Sequence, residues 1–162
     1  MSINTWIPPW IITNLLAIAL LSGVFRRPRV VQALLSLLFV AAAGFNASLA
    51  LSTPEVFISG FGPYAAWFYQ PFIYGFFAEH TALLVCAIAV GQAAVGLLLL
   101  TGGASARLGM LGGILFLLAI APLGIGSAFP ATLALAASMY HLYRQPLGHS
   151  LPVELMHQRS PG

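Results

Sequence analysis

Long apolar runs, each closed by a short polar or proline-rich break, divide this chain. The first covers residues 10–25; it is entered through Pro8 and Pro9 and stopped by Arg26, Arg27, Pro28 and Arg29. The second, residues 30–51, carries no charge and ends at Ser52, Thr53, Pro54 and Glu55. The third begins at about Glu79 or His80, runs to Leu100, and is followed by a turn over 101–107 marked by Gly102 and Gly103. From 108 to 143 the apolar pattern is too long for one helix, and Pro122, Gly124, Gly126 and Pro130 interrupt it. Those residues predict a tight corner between a fourth run, 108–123, and a fifth, 130–143. A helix needs roughly 17–25 apolar residues to cross a bilayer. The pattern therefore predicts an all-α integral membrane protein, a bundle of five transmembrane helices over about 10–25, 30–51, 79–100, 108–123 and 130–143. The last two runs are short, so a single kinked or re-entrant element there, giving four spans, is the alternative.

The segment 53–78 breaks this pattern. It is crowded with aromatic residues and cut by Gly60, Gly62, Pro63, Pro71 and Gly75. Tyrosine and tryptophan settle where an apolar body and a polar tip are both satisfied. The segment is expected along the membrane surface, as short helices around 64–69 and 73–80. Trp67, Tyr69, Phe72 and Tyr74 are its candidate interfacial or docking residues. Residues 1–9 are expected to lie at the interface too. They carry no basic residue and no evident small-residue cleavage site, so the first run is expected to be retained rather than cut off as a signal. The tail, 144–162, is polar and interrupted by prolines, and is expected to be partly disordered.

Composition sharpens the reading. Sixty per cent of residues are hydrophobic and only 6% are charged, against about 25% charged in a soluble domain. Mean hydropathy is +0.96. A chain of 162 residues has no room for a folded domain outside such a bundle. The formal charge of +3 does not point to nucleic acid, because every cation is an arginine beside the end of an apolar run. With Arg26, Arg27 and Arg29 in the cytoplasm, five spans bring Arg107, Arg144 and Arg159 to the same side. Glu55, Glu79 and the aromatic segment then fall outside. That is the arrangement the positive-inside rule favours. It predicts a bacterial inner-membrane protein with its N-terminus outside and its C-terminus cytoplasmic.

Few residues carry chemistry. Asn14, Asn46 and Gln92 are amides within apolar runs, where a buried amide needs a partner. They either tie helices together or face a shared pocket. Glu79 and His80 form an ionisable pair at the outer mouth of the third run, where a site is the default hypothesis. Histidine there can move protons or hydrogen-bond a carbonyl; an interfacial helix start is the plainer reading. Glu79, His80, Gln92 and Asn46 are thus the candidate residues for a quinone or other ligand. His80 and His141 belong to opposite membrane faces, which disfavours a bis-histidine haem. His149 and His157 lack metal-like spacing, and Cys86 reads as a small apolar residue. Gly109 with Gly113, Ala43 with Ala47, and Gly44 with Ser48 place small residues four apart, the spacing for close helix approach. No CxxC, HExxH, P-loop or nucleophile elbow occurs, so no catalytic residue is assigned.

Residues 29–143 resemble the DoxX-like family of small bacterial membrane proteins. The resemblance is carried by Arg29-Val30-Val31-Gln32-Ala33-Leu34-Leu35 with Ala43-Gly44-Phe45-Asn46. It continues in the run from Val90-Gly91-Gln92 to Leu100-Thr101-Gly102, and in Arg107-Leu108-Gly109-Met110-Leu111-Gly112. It implies a four-helix membrane core, and some such relatives are linked to membrane redox complexes, including a thiosulfate–quinone oxidoreductase subunit. This chain departs from the pattern by its added first run and by Gln92, where relatives often carry a glutamate. The function expected is a non-catalytic accessory subunit of a larger membrane redox or energy-converting complex, framing a quinone or lipid. A quinone-linked oxidoreductase component and a small transporter or channel are the alternatives.

Overall fold

A computed structural model describes residues 7–146. Residues 1–6 and 147–162 lie outside the described residues, and with them Trp6, His149, His157, Arg159 and most of the expected interfacial segment and polar tail. Among the described residues every regular element is helical: α1 (Ile7–Gly23), α2 (Pro28–Ser52), α3 (Glu55–Phe61), α4 (Gln70–Phe72), α5 (Thr81–Leu99), α6 (Gly103–Ile120) and α7 (Ala131–Tyr143). A π turn, Ile73–Phe77, prolongs α4, and a 3-10 turn, Ala121–Ser127, prolongs α6.

Local chemistry accounts for most boundaries. Pro8 and Pro9 fall in the first turn of α1, and Pro28 opens α2. A missing N–H costs nothing there, because first-turn N–H groups have no partner within the helix. The first helix accordingly begins before its prolines, at Ile7, and stops at Gly23, two residues short of the expected end. The turn expected over 101–107 is shorter. α6 starts at Gly103, whose φ of +58° makes the turn, and the good helix formers Ala104, Ala106 and Arg107 are already helical. At its far end α6 tightens at Ala121, just before Pro122, which has no N–H to continue an α ladder. In the aromatic segment, helix forms over Glu55–Phe61 rather than over 64–69. Gly62 and Pro63 end α3, and 62–69 is a series of turns.

Three helical runs are long and apolar enough to cross a membrane by length and composition: Pro28–Ser52, Thr81–Leu99 and Gly103–Ser127. α1 is apolar but shorter, at 17 residues. α7, at 13 residues, rises about 20 Å. The long helices turn large apolar side chains outward. Leu15, Leu37, Leu83, Val90 and Leu115 are each more than 60% exposed, which suits a lipid surrounding rather than water.

The helices bury small and branched residues between them. One core, built on Leu20, Val24, Leu35, Phe39, Met110, Leu117 and Met139, joins α1, α2, α6 and α7. A second, around Ala50, Phe57, Ile73, Phe77 and Val85, lies beneath the aromatic segment. Side-chain contacts fix the two ends. Gln32 near the start of α2 meets Leu99 at the end of α5, so α2 and α5 run antiparallel. Phe25 and His141 bring the end of α7 beside the α1–α2 turn, with ring centroids 4.5 Å apart. Arg26, Arg27, Arg29, Arg107 and Arg144 therefore gather at one end of the bundle, and Glu55, Glu79 and the aromatic segment occupy the other.

Candidate ligand cavity

The seam between α2 and α5 positions the candidate site. The buried face of α2 follows Gln32, Ser36, Phe39, Ala43 and Ala50; that of α5 follows Thr81, Val85, Ala89, Gln92, Gly96 and Leu99. Both stripes have the three-four spacing of a helix face. Along the seam Gln32 Nε2 donates to Leu99 O at 2.6 Å and Ser36 Oγ to Gly96 O at 2.6 Å. Arg29 Nη1 donates to Gln32 Oε1 at 3.0 Å and holds that amide in register. Gly96 allows the close approach, since a Cβ there would stand 2.6 Å from Val40 Cγ2. Farther along, Asn46 Nδ2 donates to Gln92 Oε1 at 2.9 Å.

At that amide pair the helices and the aromatic segment part around a cavity of about 740 Å³. Phe57, Phe61, Tyr69, Phe72, Phe77 and Phe116 line much of it, together with aliphatic residues of α5 and α6. None of the described residues lining it is charged. Its polar side chains are Asn46, Gln92, Tyr69 and Ser127. The Tyr69 hydroxyl donates to Ala119 O at 2.8 Å and the Ser127 hydroxyl to Gly124 O at 2.9 Å. The amides differ. Their mutual bond leaves one NH2 group, on Gln92, and one carbonyl, on Asn46, with no bond to any described residue. Turning both amides over would only exchange which residue offers which.

The aromatic segment is tied down over this cavity. Ala66 N–H donates to Pro122 O at 2.8 Å. The glycines of the 3-10 turn sit directly on its backbone: a Cβ at Gly126 would collide with the Gly60 carbonyl, and one at Gly124 with that of Tyr64. Gly124 also has φ +69°, so both space and backbone conformation require glycine there. At the adjoining corner Trp10 Nε1 donates to Phe129 O at 2.6 Å, and Asn14 Nδ2 lies 2.9 Å from Trp10 O and 3.4 Å from Ala128 O. α1 is pinned to the same corner in this way.

The four residues singled out for a ligand thus separate into two pairs. Asn46 and Gln92 share the cavity. Glu79 and His80 line a different, smaller groove of about 440 Å³ with Pro54, Glu55 and Ile58. Glu79 is exposed. His80 Nδ1 lies 3.0 Å from Phe76 O, and its ring stacks on Phe76 at 4.5 Å between centroids. Among the described residues no three His, Cys, Asp or Glu side chains are grouped to hold a metal. Of the interfacial candidates, Trp67 is 81% exposed and Tyr74 is also exposed; Tyr69 contributes to the cavity wall, and Phe72 is both exposed and part of that wall.

The small-residue pairs have different neighbours. A Cβ on Gly109 would reach Leu98 Cβ at 2.7 Å, and Gly113 packs against Met139 and Val95. Ala43 is buried and Ala47 half-buried, but Gly44 faces outward with nothing within 4 Å of its Cβ position. Sequence reasoning passed over Gln32, Ser36 and Gly96 as seam residues, although their spacing with Ala43 and Gln92 marked the two faces. Comparison with family models, curated proteins and solved structures gives no match.

Proposed function

We propose that this chain is a small polytopic protein of the bacterial inner membrane, an accessory subunit of a larger redox or energy-converting complex that frames a quinone or lipid in its apolar cavity. The observation that carries the reading is the cavity itself: an uncharged, aromatic-walled space with two neutral amides on one side. Ligand sites are commonly concave and mostly apolar, with a few placed polar groups. The outward-facing leucines of the long helices support the membrane placement, and the gathered arginines support a cytoplasmic position for that end. In this reading α1, α2, α5, α6 and α7 are five spans, with α7 completing its crossing through the corner that precedes it. The DoxX-like resemblance is consistent with a subunit of this size.

Glu79 and His80 fit a direct proton-carrying role less well, because their groove is separate from the cavity. Purification from native membranes in mild detergent, with intact-mass measurement and organic extraction, tests the proposal. A defined complex with redox subunits and a stoichiometric neutral lipid or quinone is the expected result. A free monomer yielding neither would overturn it.

A further inference from the structure

We infer that the amide pair selects the occupant of the cavity: it admits an uncharged amphiphile whose ring or head carries a carbonyl or hydroxyl, and it turns away anionic lipid heads and fatty-acid carboxylates. The inference rests on the cavity being a ligand site, as proposed above. Gln92 is only 6% exposed, so whatever meets its amide does so out of water. The free NH2 suits a carbonyl and the free amide oxygen suits a hydroxyl. A ring in its carbonyl form and the same ring reduced to a diol therefore both find a partner, without either amide moving.

A charge does not find one. None of the described residues lining the cavity is a cation, and the described arginines are grouped at the far end of the bundle. Gln92 lies seven positions along α5 from Leu99 at that end, about 10 Å of helix. An unpaired carboxylate or phosphate in such surroundings loses its hydration and gains one neutral amide donor but no counter-charge, which does not offset the loss. The faces and edges of Phe57, Phe61, Phe72 and Phe77 favour a flat ring over a branched head.

The test uses the full chain in lipid nanodiscs and four probes with alkyl tails of about nine or ten carbons: a decyl-benzoquinone, its hydroquinone, decylbenzene and decanoate at pH 8. The expected order places quinone and hydroquinone roughly tenfold tighter than decylbenzene, the size of one or two net hydrogen bonds, with decanoate weakest. Asn46→Val with Gln92→Leu should bring the first two down to the decylbenzene level and leave decylbenzene unchanged. Should that variant fail to fold, the wild-type series still decides. Decylbenzene binding as well as quinone, or decanoate binding as well as either, would overturn the inference and leave the cavity reading standing. If no probe binds saturably, decylbenzene included, the cavity reading itself fails.

Discussion

Replacing Gly96 by alanine tests the α2–α5 seam most directly. The added Cβ would stand 2.6 Å from Val40 Cγ2, 3.0 Å from Ser36 O and 3.2 Å from Val40 N. Two of those atoms belong to the α2 backbone and cannot rotate aside, so the helices must move apart. Overpacking of this kind costs about 1–3 kcal/mol. The same movement stretches the bonds from Ser36 to Gly96 O and from Gln32 to Leu99 O, both 2.6 Å. Ser36 and Gln32 are buried, and each bond is worth roughly 0.6 kcal/mol between membrane helices. Alanine returns up to about 1 kcal/mol of helix propensity. The net expectation is a loss of about 1–3 kcal/mol. Gly91→Ala and Gly44→Ala are the controls, because nothing lies within 4 Å of either Cβ position. Both should be neutral or slightly stabilising. Unfolding in mixed micelles by added SDS, followed by circular dichroism, reads all three. Equal stability of Gly96→Ala and Gly91→Ala would refute the close-packed seam.

Gly126→Ala drives a methyl group into the Gly60 carbonyl; amide exchange across residues 60–70 should rise by about tenfold or more, and unchanged protection would show that the aromatic segment is held by other means. Trp10→Phe keeps an aromatic, though smaller, side chain and removes the donor to Phe129 O, and should cost about 0.5–1.5 kcal/mol in the same SDS titration; no loss would mean that α1 is not anchored through this bond. On a Cys86→Ala background, cysteines at positions 27 and 144 should react with an impermeant maleimide from one compartment and a cysteine at 55 from the other. Labelling of 27 and 144 from opposite sides would exclude the five-span topology.

The helical architecture was legible because apolar runs and their proline or glycine breaks are local signals. The corner at Pro122, Gly124 and Gly126 was visible for that reason, and so was the start of α7 beside Pro130. The turn expected over 101–107 is shorter in the structure because the helix formers Ala104, Ala106 and Arg107 outweigh Gly102 and Gly103 and start α6 at Gly103. Contacts between distant segments leave weaker traces. Asn46 and Gln92 stood out as amides in oil, but nothing local says that they bond to each other while His80 turns back onto Phe76. The pairing of Gly60 with Gly126 depends on how the aromatic segment folds over α6, which no local spacing encodes. Gln32 and Ser36 share the α2 face with Phe39 and Ala43, a stripe that periodicity could have revealed.

The grouping of guanidinium groups at one pole has a consequence for biogenesis under the proposed membrane placement. Inverting the assembled bundle would drag five arginines through hydrocarbon, at roughly 2.5–3.5 kcal/mol apiece on insertion scales. Their combined barrier is on the order of 10 kcal/mol or more, before the tail is counted. Orientation is then settled once, as the chain leaves the ribosome, and never renegotiated. Every copy presents the same aromatic crown to the same compartment, so any assembly that recruits it inherits a built-in sense of direction.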